Sequence, residues 1–329
     1  MTPFGIFNRF FDDEVINYIV DMTNLYGRRE KGIVGFSTDN CEIRTFLAIM
    51  LLTGYNGRPR TRMHWEKKPT RYCQGVANSM TRKKFEDIMR CFHVSDNMQL
   101  AANDKMAKVR PFFNIINKRC LDNRTNRANL SVDEAMLPYF GKNNSKQRIN
   151  NKPIRVGYKM WVLAEDSGYV VQFDPYQGAK STGPQGKTSF TWGLGEKVVL
   201  DLLDVLPRGP CYHVFMDNFF TSMRLLKFLT HNNIKASGTL RSNRLSKSCS
   251  LHHKTVLNKG KRGDITQETS EDVTVMAWKD RKVVLFASNC DGRAPEHKVQ
   301  RLCSEEKKHT LVRQPNAIHN YNASMGGVD

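Results

Sequence analysis

The chain has two regions that differ in the pattern of their hydrophobic and polar positions. In residues 1–129 apolar side chains recur at the spacing of amphipathic helices. Within them, residues 46–52 read FLAIMLL, which predicts a helix that is apolar all round and buried in a core. From residue 130 onward, short apolar runs alternate with turn-forming residues, and this pattern predicts β-strands.

The pattern from residue 130 onward predicts a sheet with helices packed on it. Strands are expected at residues 130–137, 158–164, 169–173, 212–216 and 234–240, and helices at residues 196–206 and 218–231. Asp166, Ser167 and Gly168 form the tight turn of a hairpin between the second and third strands. The order strand, strand, strand, helix, strand, helix, strand favours a mixed sheet and an α+β fold.

Composition changes again after residue 244. Residues 245–315 are polar and rich in Lys and Arg, and the apolar runs 273–278 and 282–287 predict a hairpin. We interpret this region as a small β-containing insertion, because the chain after it ends on an acidic residue that we assign to the core. The predicted domains are a helical domain at 1–129, the first part of the core at 130–244, the insertion at 245–315, and the return to the core at 316–329.

The charge of the chain narrows the choice of partners. Its 51 Lys and Arg residues exceed its 32 Asp and Glu residues, giving a formal net charge of +19 at pH 7. Such an excess predicts a polyanionic partner, and nucleic acid comes first. A membrane-surface protein is the competing interpretation, but we find neither an amphipathic Lys-rich helix nor a membrane-length apolar run, and we expect no membrane contact. Residues 1–21 do not resemble a signal peptide, so we expect an intracellular protein located in the nucleus.

The eight cysteines are scattered along the chain, and no two of them are spaced as CxxC. This spacing favours neither a disulfide framework nor a zinc ribbon. We expect most of them to be reduced thiols in the core.

Three acidic residues stand out from their surroundings. Asp133 interrupts a strand that is otherwise apolar, and burying an unpaired carboxylate costs several kcal/mol, so it needs a cation, an Arg or a solvent-lined cleft. Asp217 ends the apolar run at 212–216, where ligands gather in sheets of this type. Asp329 closes the sequence MGGVD. We interpret the three carboxylates as one metal site.

Other interpretations of these acids remain open. Asp217 could simply cap the helix expected at 218–231, and Asp133 could pair with an Arg. If the two strands are neighbours, however, the two charges repel unless a divalent cation neutralises them. Mg²⁺ takes oxygen ligands, and two such ions about 3.5–4 Å apart serve phosphodiester chemistry. Glu134 is left out of the site, because alternation along the strand places it on the opposite face.

The same residues belong to a series of longer motifs. They are SVDEAMLPYFGK at 131–142, NKP at 151–153, GYKMW at 157–161, MDNFFTS at 216–222, GTLRSNR at 238–244 and MGGVD at 325–329. In this order they resemble the piggyBac-type DNA transposases and the proteins domesticated from them. The resemblance runs from about residue 130 to residue 329, and more weakly through the helical region. Each motif alone is weak, whereas the ordered set is specific.

The resemblance implies an RNase H-like catalytic core with a DDD site for two Mg²⁺ or Mn²⁺ ions. Matched by position, Asp133 binds both metals, while Asp217 and Asp329 each hold one. Arg241 and Arg244 match a basic pair that helps to hold target DNA. The partners implied are double-stranded DNA, transposon ends and a TTAA target, and the helical region matches a dimerisation and DNA-binding domain, so we expect a homodimer. In the family, hydrolysis at a transposon end frees a 3′ hydroxyl, which forms a hairpin and then joins the target.

The sequence also departs from the family pattern. Family members usually carry a further acid shortly after GGVD, then more helix and a Cys-rich zinc-binding end, and a long acidic lead precedes the helical region. We therefore expect a truncated protein that is inactive alone. Three hypotheses follow: a transposase core, a domesticated non-catalytic DNA-binding or chromatin-associated protein, and an unrelated metal-dependent nuclease. The ordered motifs argue against the third.

Overall fold

The chain is described by a computed structural model that covers residues 1–67, 72–150, 152–178, 192–245, 249–252, 260–303 and 308–328. It divides into two compact units, Met1–Asn123 and Arg124–Asp329. The predicted change of pattern at residue 130 lies close to this division, and the four predicted domain ranges stay predictions.

The first unit is helical, as its apolar periodicity predicts. In the described ranges its α-helices are α1 (Pro3–Phe10), α2 (Asp13–Arg29), α3 (Asn40–Tyr55), α4 (Gln74–Ser79), α5 (Arg82–Cys91) and α6 (Arg110–Asp122), and 3₁₀ turns lie at Thr61–Trp65 and Asn97–Gln99. Several of these helices have an N-cap residue whose side chain accepts a main-chain N–H of the first turn. Examples are Asp12 at α2, Asp39 at α3 and Thr81 at α5.

The core of this unit is formed mainly by α2, α3 and α5. Its fully buried isoleucines are Ile16, Ile19, Ile43 and Ile88. The expectation that residues 46–52 are buried all round was wrong in part. Phe46 and Ile49 are buried on one face of α3, whereas the opposite face exposes apolar side chains, including Leu51 at 56%.

The second unit is built on a sheet. Its strands in the described ranges are β1 (Asn129–Pro138), β2 (Gln147–Arg148), β3 (Val156–Glu165), β4 (Val170–Pro175), β5 (His213–Met216), β6 (Lys235–Thr239), β7 (Ile265–Ser270), β8 (Val273–Lys279), β9 (Val283–Ser288), β10 (His297–Cys303) and β11 (Lys308–Gln314). Its α-helices there are α7 (Leu194–Leu203), α8 (Met223–His231) and α9 (Asn316–Ser324). All the strands predicted from the apolar runs are confirmed, with ends shifted by a few residues.

Strands β1 to β9 form one sheet within the described part of the chain, and β10 pairs with β11 separately. The order along the sheet is β2-β3-β1-β5-β6-β9-β8-β7, with β4 also paired to β3. The central pairs β1–β5 and β5–β6 are parallel, and the flanking pairs are antiparallel. Because a parallel pair cannot be joined by a tight turn, α8 carries the chain from β5 to β6. The mixed sheet and the α+β class are confirmed.

The hairpin predicted after residue 272 is also confirmed, as β8 and β9. These strands extend the same sheet, because β9 pairs with Ser237, Gly238 and Thr239 of β6. This pairing covers an edge of β6 that would otherwise leave main-chain groups without partners. No helix in the described residues has both the length and the apolar character needed to span a bilayer.

Replacing Asp201 of α7 by Asn is expected to stabilise the protein near neutral pH. Burial raises the pKa of Asp201 to about 6. The charge of Lys197 opposes this rise, and the charges of Asp174 and Asp204 add to it. The folded state therefore binds this proton more tightly than the unfolded state, so stability falls as pH rises from about 4 to about 6. After allowance for partial solvent screening, the gain is about 1 kcal/mol at pH 7.

Thermal melts of the wild type and of Asp201→Asn between pH 4 and pH 7.5 test this expectation. The difference in melting temperature should grow with pH and level off above about pH 6.5. The exposed Asp272 provides the control, since Asp272→Asn should give a difference that is small at every pH. A constant difference for Asp201→Asn would contradict the assignment.

Candidate active site

Asp133 and Asp217 lie at one edge of the parallel part of the sheet. β1 and β5 are neighbours, and Val132 is paired with Met216 in their register. Asp133 and Asp217 are the next residues along the two strands, so both acids lie at the carboxyl ends of the paired segments. The charge of Asp217 contributes to the raised pKa of Asp133, which places the two carboxylates within electrostatic reach. Ligand sites of open α/β sheets gather at this edge.

Asp133 is held by groups from its own strand and from the following link. Its Oδ1 accepts the N–H of Glu134 at 2.8 Å, and its Oδ2 lies 3.8 Å from Nζ of Lys152. The carboxylate therefore has a lysine partner rather than an Arg, and its side chain is only 15% exposed. Burial is the main reason that the pKa of Asp133 is raised to about 6. A carboxyl that resists ionisation in this way is stabilised as an anion by a bound cation.

Asp217 begins a turn rather than a helix. Its Oδ1 accepts the N–H of Phe219 at 2.8 Å, and its carbonyl accepts the hydroxyl of Thr221 at 2.8 Å. The helix expected at 218–231 starts only at Met223, where Ser222 is the N-cap and accepts the N–H of Leu225. The helix-cap interpretation of Asp217 was therefore wrong, because a serine closer to the helix performs that role. Burial raises the pKa of Asp217, with a further contribution from the charge of Glu134.

Glu134 is a residue that the sequence reasoning set aside. Although alternation assigns it to the other face of β1, its charge raises the pKa of both Asp133 and Asp217. Its carboxylate lies 3.4 Å from Nζ of Lys159, and that Nζ lies 4.1 Å from the centre of the Trp161 ring. The signal for this lysine is the GYKMW motif, in which Lys159 and Trp161 are two residues apart and share a face of β3.

The two predicted DNA-binding arginines differ in their surroundings. Arg241 is exposed, and its Nε donates to Oδ1 of Asn218 at 2.9 Å. Arg244 is half-buried and donates to the carbonyls of Phe219 and Thr221, so it holds the turn that carries Asp217. Both arginines thus lie beside the candidate site. Contact of either one with DNA stays a prediction.

Asp329, the third predicted acid, lies outside the described residues, but the segment before it can be located. A side chain at Gly327 would meet the carbonyl of Glu165 and, at 2.7 Å, the hydroxyl of Ser131. Ser131 lies two residues before Asp133 on β1, and residues so spaced share a face of a strand. The described chain therefore returns to the strand that carries the first acid.

The donor atoms suit a hard divalent cation. The oxygens of Asp133 and Asp217 come from carboxyls whose pKa values are raised by burial, and carboxylate oxygens are preferred ligands of Mg²⁺. A cation between two neighbouring carboxylates offsets both their desolvation and their mutual repulsion. The residues present therefore fit a divalent metal.

Comparison with known proteins identifies the class to which this fold and site belong. A family model described as "Transposase IS4" matches residues 2–329, nearly the whole chain, and the class is that of the transposases. Curated proteins similar to the chain include two from Homo sapiens. PiggyBac transposable element-derived protein 2 is 38% identical over 336 residues, and PiggyBac transposable element-derived protein 3 is 38% identical over 331 residues. The chain belongs to the piggyBac transposase family.

A solved structure supports the same assignment. The cryo-EM structure of the piggyBac transposase synaptic complex with hairpin DNA aligns with a TM-score of 0.77 and 26% sequence identity, covering 99% of this chain. The family resemblance and the expected fold are thereby confirmed. The chain covers 66% of that solved chain and spans about half the length of the two human relatives, 55% of each.

Proposed function

We propose that the chain is the core of a DNA transposase that cleaves DNA and transfers strands with the help of divalent metal ions. The observation that carries the proposal is the placement of Asp133 and Asp217 directly after the last paired residues of the parallel strands β1 and β5, with both pKa values raised by burial. Asp329 is proposed as the third ligand, supported by the position of Gly327 against β1. The ions proposed are two Mg²⁺ or Mn²⁺.

The residues of the chain have distinct proposed roles in this chemistry. Asp133 and Asp217 would hold the metal, and the bound metal would supply an activated attacking oxygen and a stabilised leaving oxygen. Lys152 balances the charge of Asp133, and Arg244 fixes the turn of Asp217 through two carbonyls. Arg241 is exposed beside the turn, and its proposed role is to contact a phosphate of the DNA. Each DNA step exchanges or hydrolyses a phosphodiester, so it needs no high-energy cofactor.

The proposed partners follow from charge and from the relatives. A net charge of +19 suits double-stranded DNA, and the similar solved structure is that of a transposase complex with hairpin DNA. We propose that the DNA comprises transposon ends and a TTAA target, that the protein acts as a homodimer, and that it is located in the nucleus.

Incubation of the purified chain with metal and DNA tests the proposal. Although the departures from the family pattern predict a chain that is inactive alone, the pairing of Asp133 with Asp217 predicts that nicked and hairpin DNA containing TTAA is cut in Mg²⁺ or Mn²⁺ and left intact in EDTA. A parallel reaction with scrambled TTAA tests the target preference separately. DNA cleavage that persists in EDTA would contradict a metal-dependent mechanism.

A second candidate function is that of a domesticated DNA-binding or chromatin-associated protein without catalysis. It is favoured by the two human relatives, which are described as transposable element-derived proteins. Tight DNA binding combined with intact metal binding and no cleavage would support this candidate over the first.

Arg241→Ala should weaken DNA binding in a salt-dependent way. If the exposed guanidinium neutralises one phosphate, the slope of log affinity against log salt should become less steep by about 0.9. Fluorescence anisotropy with a short duplex over a range of salt concentrations measures this slope.

The control for this prediction is Arg208→Ala, an exposed arginine that precedes β5 at the end away from Asp217. Its slope should match that of the wild type. If Arg241→Ala also leaves the slope unchanged, Arg241 does not contact DNA.

A further inference from the structure

A second group of ligand-type side chains lies at the opposite end of β5 from Asp217. His213 is the first residue of β5, and Cys290 and Asp291 come shortly after the end of β9. Nε2 of His213 is 3.4 Å from Sγ of Cys290. One potential ligand atom from each of the three residues lies within 4.8 Å of the other two.

The distance between His213 and Cys290 is close to that of a zinc site. Zinc binds thiolate sulfur at about 2.3 Å and imidazole nitrogen at about 2.0–2.1 Å, so two such ligands at a tetrahedral angle are about 3.5 Å apart. The separation of 3.4 Å between His213 and Cys290 matches this value. Three protein ligands leave the fourth tetrahedral position open to water.

Hydrogen bonds fix the two ligands that follow β9. Oγ of Ser288 accepts the N–H of Cys290 at 3.2 Å and the N–H of Asp291 at 2.9 Å, which shapes the turn. Nδ2 of Asn320, in α9, donates to Oδ2 of Asp291 at 3.0 Å and orients the carboxylate. Supporting hydrogen bonds of this kind position metal ligands before the metal arrives.

The histidine can exchange its present partner for a metal without leaving a buried group unsatisfied. Nε2 of His213 lies 2.8 Å from Oγ of Ser237, and that hydroxyl also lies 2.8 Å from Oγ of Ser288. If a metal bound Nε2 of His213, the hydroxyl of Ser237 would still be hydrogen-bonded to the hydroxyl of Ser288. The buried serines therefore permit the exchange at little cost.

The imidazole is already in the protonation state that binds metals, whereas the thiol is not. Burial lowers the pKa of His213 to about 4, so the imidazole is neutral at pH 7, which is the form that binds metals. Burial raises the pKa of the Cys290 thiol, so a metal must displace its proton. Although the thiol contacts His213 and Ser288, Cys290 as a whole is exposed, which gives an ion access from solvent.

We propose that His213, Cys290 and Asp291 bind one Zn²⁺ ion that joins the start of β5 to the segment after β9. This site is separate from the proposed catalytic acids, since the four residues of β5 hold the two ends about 13 Å apart. The donors differ as well, because thiolate and imidazole suit zinc whereas carboxylates alone suit Mg²⁺. The proposal does not depend on the proposed catalytic function.

Titration of the metal-free, reduced chain with Co²⁺ tests the proposal. Cobalt bound by Cys290 should produce the thiolate-to-metal charge-transfer absorption, saturating at one equivalent, and Zn²⁺ should abolish it by competition. Metal bound at Asp133 and Asp217 cannot produce this band, so the readout is specific to a cysteine site. Zn²⁺ at about one hundred times its dissociation constant should also raise the melting temperature by roughly 5–10 °C.

Cys290→Ser should abolish the band, and Asp291→Asn should weaken apparent cobalt binding about tenfold or more. Circular dichroism checks that both variants are folded. Cys211→Ser is the matched control, because Cys211 is an exposed thiol two residues before His213 and should leave the band unchanged. Absence of the band in the wild type, or its survival in Cys290→Ser, would overturn the proposal and leave a polar network without metal.

Discussion

Asp133→Asn should abolish metal-dependent DNA cleavage while making the metal-free protein more stable. Loss of the carboxylate that binds the metal removes several kcal/mol of transition-state stabilisation, so the rate should fall about 10³-fold or more. In EDTA at pH 7.5 the same change should add about 2 kcal/mol to the free energy of unfolding. The reason is that burial raises the pKa of Asp133 to about 6, so the ionised carboxylate destabilises the folded state above that pH.

Melting temperatures with and without Mn²⁺ separate the two effects. Mn²⁺ should stabilise the wild type by several degrees and should leave Asp133→Asn unchanged. Asp291→Asn is the control, because it alters the proposed zinc site and should keep the Mn²⁺ response. If Asp133→Asn still responded to Mn²⁺ like the wild type, Asp133 would not be a ligand.

Gly238→Ala should destabilise the second unit more than most single substitutions. Gly238 lies opposite Met216 in the parallel register of β5 and β6. A side chain there would collide with the hydroxyl of Thr221 and the carbonyl of Met216. Both groups belong to the segment that places Asp217, so we expect a loss of about 3 kcal/mol and a weaker response to Mn²⁺. The melting temperature should fall by roughly 10 °C.

Gly292→Ala is the matched control in the same unit, because its nearest neighbour there, Oε1 of Gln267, would be at an ordinary contact distance of 3.7 Å. It should melt within a degree or two of the wild type. Equal melting temperatures for the two variants would show that the β6 backbone can move away from Met216.

Local patterns were enough to predict the framework of the site. The apolar runs that become β1 and β5 are short and bounded by turn residues, so their strand character is a local property. Asp133 could be identified because it interrupts the first of these runs, and Asp217 because it ends the second. The ordered motifs then predicted the family, which the comparisons confirmed.

Other features depend on contacts between distant residues. The turn that carries Asp217 is held by Arg244, which donates to the carbonyls of Phe219 and Thr221, 25 and 23 residues earlier in the chain. The influence of Glu134 on both acids depends on how side chains from β1 and β5 meet, whereas alternation along one strand only assigns it to a face.

The sequence alone determined which residues form β1 and β5, and that Asp133 lies within β1 and Asp217 directly follows β5, because strand formation and turn chemistry act over a few neighbouring residues. Only the tertiary structure decided that β9 pairs with β6. It also decided that His213 meets Cys290 across 77 residues of chain. Such pairings form when separate strands compete for the edges of one sheet, and that competition is settled by burial and hydrogen bonding over the whole unit.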